Sequence, residues 1–215
     1  MNVLLDSIKA TQQVAAPQRA KWRTRAAFVV AVGIAAATAS CSDPYRDARI
    51  EALGDEQGGF EPSEIHRVGQ PCLACHDGYG PGEPVFSFGG TIFAEPVEGE
   101  PLILLPGYTV RLIDSEGQIR DIETNRCGNF YVEKENYDPA FPVRAEVFGP
   151  ATPESENIVQ LRVMSTRIGR DGSCGTCHIH PASPFSPGVA FVPGAYLDSP
   201  ENPEGCPEPR FAEPL

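Results

Sequence analysis

Lysine is nearly missing from this 215-residue chain, with only Lys9, Lys21 and Lys134 against 14 arginines. Acids outnumber bases 29 to 17, a formal net charge of −12, and a surface of that sign repels phosphate backbones and anionic headgroups. The charge argues against nucleic acid as a partner. Tryptophan occurs once, at Trp22, and methionine twice, at Met1 and Met164; histidine is confined to His66, His76, His178 and His180. Any imidazole or thioether chemistry therefore has few carriers. No apolar run reaches the ~20 residues of a membrane-spanning helix; the apolar stretch 26–39 is 14 residues long. No P-loop, dinucleotide fingerprint, serine elbow or H-E-x-x-H motif occurs, so those chemistries lack their signatures. No window carries a 3.6-residue period, which argues against a helical domain.

Cysteine is the exception. Seven are present, and four fall in two copies of one pattern, Cys72-Leu73-Ala74-Cys75-His76 and Cys174-Gly175-Thr176-Cys177-His178. Random placement of the cysteines and histidines would give on the order of 0.004 such pentapeptides per chain, so two copies are not a composition artefact. C-x-x-C-H is the pattern by which haem is attached in c-type cytochromes, and each segment resembles one. The resemblance implies thioether bonds to the haem vinyl groups from Cys72 and Cys75, and from Cys174 and Cys177. His76 and His178 would be the proximal iron ligands. Two covalently bound haem c groups are the expected cofactors. Paired C-x-x-C segments also build zinc sites, and a lone C-x-x-C serves as a redox dithiol, but the latter belongs in a βαβ setting and no helical pattern follows either motif.

The sixth ligands have three candidates: His180, His66 and Met164. His180, two residues past His178, cannot easily reach the opposite face of its own haem and is placed to serve the other one. Histidine at both axial positions gives a lower potential than histidine opposite methionine. The plainer alternative for a histidine outside the motifs is a solvated surface residue, and for Met164 it is core packing.

Arg19, Lys21, Arg23 and Arg25 precede the apolar stretch 26–39, which is the plan of an export signal. The stretch ends in Thr38-Ala39-Ser40-Cys41, which resembles a bacterial lipoprotein box, with threonine where such boxes usually carry leucine. The likeness implies cleavage before Cys41 and lipid on its thiol; the alternative is a soluble periplasmic protein with a spare cysteine. Ser42 in place of aspartate favours the outer membrane by the same resemblance. Removing residues 1–40 leaves 175 residues and takes the net charge to −16, since that piece holds five bases and one acid, Asp6. An acidic exported domain fits docking to a basic patch on a redox partner, and equally a charge that serves solubility alone.

Residues 41–64, polar and rich in Asp, Glu and Gly, read as a flexible tether, with a short helix near residues 45–53 lacking an apolar stripe. The first haem-binding segment is 65–84. From 85 to 164 the pattern becomes short alternating runs broken by turn residues: 85–93, 108–112, 119–124, 130–132, 143–147 and 159–163. Gly89-Gly90 marks a bulge or a close backbone approach, and Asp114-Ser115-Glu116-Gly117 a turn. The expected fold is mainly β, an antiparallel β-sandwich with irregular, loop-rich haem-binding segments at both ends. Four stretches carry a second likeness: Gly90-Thr91-Ile92-Phe93, 106–112, 124–131 and Phe141-Pro142-Val143. In that order and spacing they resemble the carboxypeptidase regulatory-like (transthyretin-like) sandwich family, which implies a fold and no catalysis. The second haem-binding segment is 165–197, with Asp171-Gly172 as the turn presenting its motif, and 198–215 is a proline-rich strap. Cys127 and Cys206 remain, and in an oxidising compartment they point to a disulfide tying the strap to the strands.

Together these readings describe an exported, lipid-anchored dihaem electron carrier without catalytic residues. A haem enzyme or gas sensor with an open iron position, and a haem-bearing surface assembly module, are the alternatives.

Overall fold

The computed structural model describes residues 43–60, 62–150, 160–195 and 201–211. The expected signal peptide, Cys41 and Val159 lie outside them. In chain order the elements are α1 (Pro44–Ala52), α2 (Leu73–His76), β1 (Phe86–Thr91), β2 (Phe93–Ala94), β3 (Thr109–Ile113), β4 (Ile119–Glu123), β5 (Asn129–Glu133), β6 (Arg144–Phe148), β7 (Gln160–Val163), α3 (Cys174–Cys177) and β8 (Phe191–Val192). The fold is mainly β. β1 pairs with β5 and the four-stranded sheet runs β4-β3-β6-β7, both antiparallel, while the short β2 and β8 pair in parallel.

Alternation explains the central strands. In β3, Val110 and Leu112 are buried while Thr109, Arg111 and Ile113 are half-buried, the period of two that sends one face to a core. Phe88 of β1, Phe130 and Val132 of β5, Val110 and Leu112 of β3, and Val143 pack into one cluster, so β1–β5 and the larger sheet share a core. Burying each such side chain stabilises the fold by about 1.5–3 kcal/mol. β4 is an edge strand and mostly exposed; its Arg120, Asp121 and Glu123 discourage further pairing. Its register on β3 is fixed partly by Arg111, which grips Asp121 with two 2.7 Å hydrogen bonds.

Asparagine and aspartate set the turns. Asp114 Oδ1 accepts from the N–H groups of Glu116 and Gln118. Asn125 Oδ1 likewise accepts from Cys127 and Asn129, closing the turn before β5. Cys127, fully buried, is joined by a disulfide to Cys206 on the proline-rich strap.

One expectation is resolved and one changes. Of the two readings of Gly89-Gly90 the close approach holds, and the irregularity in β1–β5 falls between Phe86 and Phe88. The stretch read as a tether is also folded in part: α1 occupies its start, Leu53 is buried, and Glu56 pairs with Arg67 at 2.9 Å. Ion pairs to residues distant in sequence order this stretch, and local composition does not reveal them.

Candidate functional site

Both cysteine motifs fold as a single helical turn followed by a histidine fixed through one ring nitrogen. In the first, the N–H groups of Ala74 and His76 bond back to Pro71 and Cys72, and the buried His76 ring turns its Nδ1 to the Pro84 carbonyl at 2.8 Å. In the second, Asp171 Oδ1 accepts from Ser173 N–H and leads into α3; His178 N–H bonds back to Cys174, and Nδ1 meets the Gly188 carbonyl at 2.9 Å. A carbonyl only accepts, so in both rings Nδ1 carries the proton and Nε2 keeps its lone pair. That arrangement is typical of a metal-binding histidine, whose other nitrogen is oriented by an outer partner. Burial lowers the pKa of His178, favouring the neutral, ligating ring.

The segments that bracket the strands in sequence meet in space. Ser173 Oγ lies 3.4 Å from Leu73 N–H, and Gly89 N–H donates to Gly172 O at 3.1 Å. The meeting point is Gly89-Gly90 in β1. A Cβ on Gly89 would lie 3.1 Å from Cys72 Sγ, and one on Gly90 would lie 2.7 Å from Cys174 Cβ and 3.2 Å from its Sγ. The first cysteine of each motif thus rests on one of two consecutive glycines. Since neighbouring Cα atoms are 3.8 Å apart, the two sulfurs lie within roughly 13 Å of each other.

Burial holds the first cysteine of each motif as a thiol. Burial pushes Cys72 up to about 11 and Cys174 up to about 12, with Cys72 nearby adding to the latter shift. Burial also raises Cys75. A redox dithiol needs the opposite shift. Among the described residues no three His, Cys, Asp or Glu side chains converge as a metal-holding group. Structural zinc needs four protein ligands, whereas a haem iron, equatorially bound by its porphyrin, asks the protein for two at most.

A cleft of about 480 Å³ opens beside the first motif, lined among others by Cys72, Cys75, His76, His66, Phe86 and Tyr131. Its size is that of a small-molecule or cofactor site. His76 stacks on Phe86 at 4.2 Å, and Phe86 on Tyr131 at 4.6 Å. His66 faces His76 across 6.0 Å between ring centroids, with the planes 19° apart. At that spacing a second imidazole lies within reach of a group bound at His76, on the wall of the same cleft. His66 differs in one respect: its Nδ1 accepts from Ser63 N–H at 2.9 Å. Its proton then sits on Nε2, and binding a metal through Nε2 moves that proton to Nδ1 and breaks the Ser63 contact.

The other two candidates are placed elsewhere. His180 is exposed and lies against Phe211, 5.6 Å between centroids. Met164 is half-buried just past β7, its N–H bonded to Ala145 O. Sequence reasoning missed the Pro84 and Gly188 carbonyls and the Phe86–Tyr131 stack. The repeated Pro-Gly after each motif, Pro81-Gly82 and Pro187-Gly188, was the available signal for the returning loops. Among the described residues no helix is long and apolar enough to cross a membrane. Comparison with protein-family models, curated proteins and solved structures gives no match, so the sandwich-family likeness rests on residue order alone.

Proposed function

We propose that this chain is an exported dihaem c-type cytochrome that relays single electrons between redox partners. The observation that carries the reading is the pair of C-x-x-C-H turns, each with Nδ1 of its histidine committed to a carbonyl and Nε2 left free. Cys72, Cys75 and His76 would hold one haem, and Cys174, Cys177 and His178 the other. When bound, each supplies an iron that gains or loses one electron. The residues' work is positional: the cysteines fix the ring edge, Pro84 and Gly188 fix the imidazoles, and His66 closes the far side of the first site. Glu64 and Glu83 line that cleft beside the Glu56–Arg67 ion pair, a net negative rim suited to a basic partner surface. Lipid on Cys41, and residence in the periplasm or at the outer membrane, complete the proposal.

An open iron at the second motif, as in a haem enzyme or sensor, is the second reading, favoured by His180 lying against Phe211. For an assembly module the support is weaker, because the exposed aromatics among the described residues, Tyr45, Tyr79 and Phe185, lie in α1 and loops. A pyridine haemochrome count on the exported protein, followed by carbon monoxide on the reduced form, tests all three. Two haems without carbon monoxide uptake are expected; uptake moves the assignment to an open iron, and no haem overturns the proposal.

A further inference from the structure

The strap at residues 201–211 touches the surroundings of both histidines outside the motifs. Arg210 N–H donates to Val68 O at 3.0 Å, two residues from His66. Gly69, at φ 81°, lies so close beneath the strap that a Cβ there would be 2.9 Å from both Arg210 O and the Phe211 ring. Only glycine adopts that backbone at little cost. Phe211 packs between Phe93 and His180, at 6.1 and 5.6 Å. Upstream, Gln57 and Glu208 exchange two hydrogen bonds, Nε2 to O at 3.0 Å and Oε1 from N–H at 3.1 Å.

The turn containing Cys127 grips the same loop from its other side. Asn125 Nδ2 donates to Glu64 O at 2.6 Å and Asn129 Nδ2 to His66 O at 3.2 Å. The loop carrying His66 is thus clasped between two elements that are covalently joined by one bond, Cys127–Cys206.

We propose that the Cys127–Cys206 disulfide is the positioning bond of the axial histidines: closed, it clasps the His66 loop and keeps the imidazole opposite His76; opened by a dithiol, it releases the strap and leaves that site one ligand short. The inference rests on the haem reading. In the chemical step a thiolate of the dithiol attacks Sγ of Cys206, which is half-buried, and the sulfur–sulfur bond breaks toward Cys127, which takes a proton. The second thiol of the reagent then displaces Cys206 as a thiol, and the dithiol leaves as its own disulfide. Two electrons pass from reagent to protein.

The test uses holoprotein already shown to carry two haems, so absence of haem, which would sink the function, is recognised first. Treatment with dithiothreitol, alkylation of the freed thiols and reoxidation of the iron are followed by mass spectrometry, ferric electron paramagnetic resonance and carbon monoxide titration of the ferrous form. With both cysteines alkylated, one iron per chain turns from low to high spin and carbon monoxide uptake rises by one per chain. Cys206→Ser should show the same change without reductant, and treated wild type serves should that variant not fold. Retention of two low-spin irons with unchanged uptake after both cysteines are alkylated overturns the inference, as does an iron at His76 that binds carbon monoxide while the disulfide is intact.

Discussion

The two motifs share a five-residue pattern, a carbonyl on each histidine Nδ1 and a seat on the Gly89-Gly90 step, and differ in what lies around them. The first lies beside a cleft, its histidine buried, stacked on Phe86 and faced by His66. In the second, His178 is half-buried, Cys177 is exposed and the loop is organised by Ser186, whose hydroxyl serves Cys177 O, Ile179 O and Ile179 N–H. On the proposed reading the motif would serve attachment and the surroundings would decide coordination and access. A first site closed by two imidazoles would then sit at the lower potential, and the difference between the surroundings would give electron flow a direction.

The harshest way to break the comparison is to remove one motif at a time. Cys72→Ala with Cys75→Ala, and Cys174→Ala with Cys177→Ala, should each lower the haemochrome count from two to one per chain and the intact mass by one haem. If the first deletion removes the low-potential wave and the second the high-potential wave in a redox titration, the sites differ as their surroundings imply; identical residual potentials would refute it. Next in size is His66→Ala, which should turn one iron high-spin and carbon-monoxide-reactive while His180→Ala leaves that iron unchanged. An unaltered spectrum in His66→Ala would remove His66 from the axial pair.

Gly89-Gly90, where the sites meet, should be intolerant but unequally so. A methyl on Gly90 meets Cys174 Cβ at 2.7 Å, whereas one on Gly89 meets Cys72 at 3.1 Å. Overpacking of this kind costs about 1–3 kcal/mol, and Gly90→Ala should fall higher in that range by denaturant midpoint. Equal midpoints for Gly89→Ala and Gly90→Ala would show that the two cysteines do not rest on β1 as described.

Much of this was legible in the sequence because it is local. The motifs are five contiguous residues, and six of the eight strands fall in the short alternating runs of the sequence, since a side chain's face depends only on its position in the strand. Asp114 and Asp171 act on backbone groups two to four residues away, which composition foretells. What was hidden depends on residues far apart: the approach of His66 to His76, the meeting of residues 72 and 174 on one strand, and the ordering of the segment after residue 43. Gly89-Gly90 illustrates the limit. Its sequence permits a bulge or a close contact, and only the arrival of two cysteines from 15 or more residues away decides between them.

The smallest effects isolate the two sites through one element. α1 has no buried residue, yet it reaches both motifs: Arg46 pairs with Asp77 at 3.1 Å, next to His76, and Arg49 Nη2 donates to Thr176 Oγ1 at 3.3 Å, inside the second motif. Partly exposed contacts of this kind are worth about 0–1 kcal/mol each. Arg46→Ala and Arg49→Ala should therefore shift the denaturant midpoint little, and salt should shrink even that shift for Arg46, whose partner is charged, more than for Arg49, whose partner is a hydroxyl. Their value lies in the spectrum. Arg46→Ala should perturb only the signal lost on deleting the first motif, and Arg49→Ala only the signal lost on deleting the second. If either substitution moves both signals equally, the haems respond as one unit through β1, and the separate surroundings matter less than the shared glycine step.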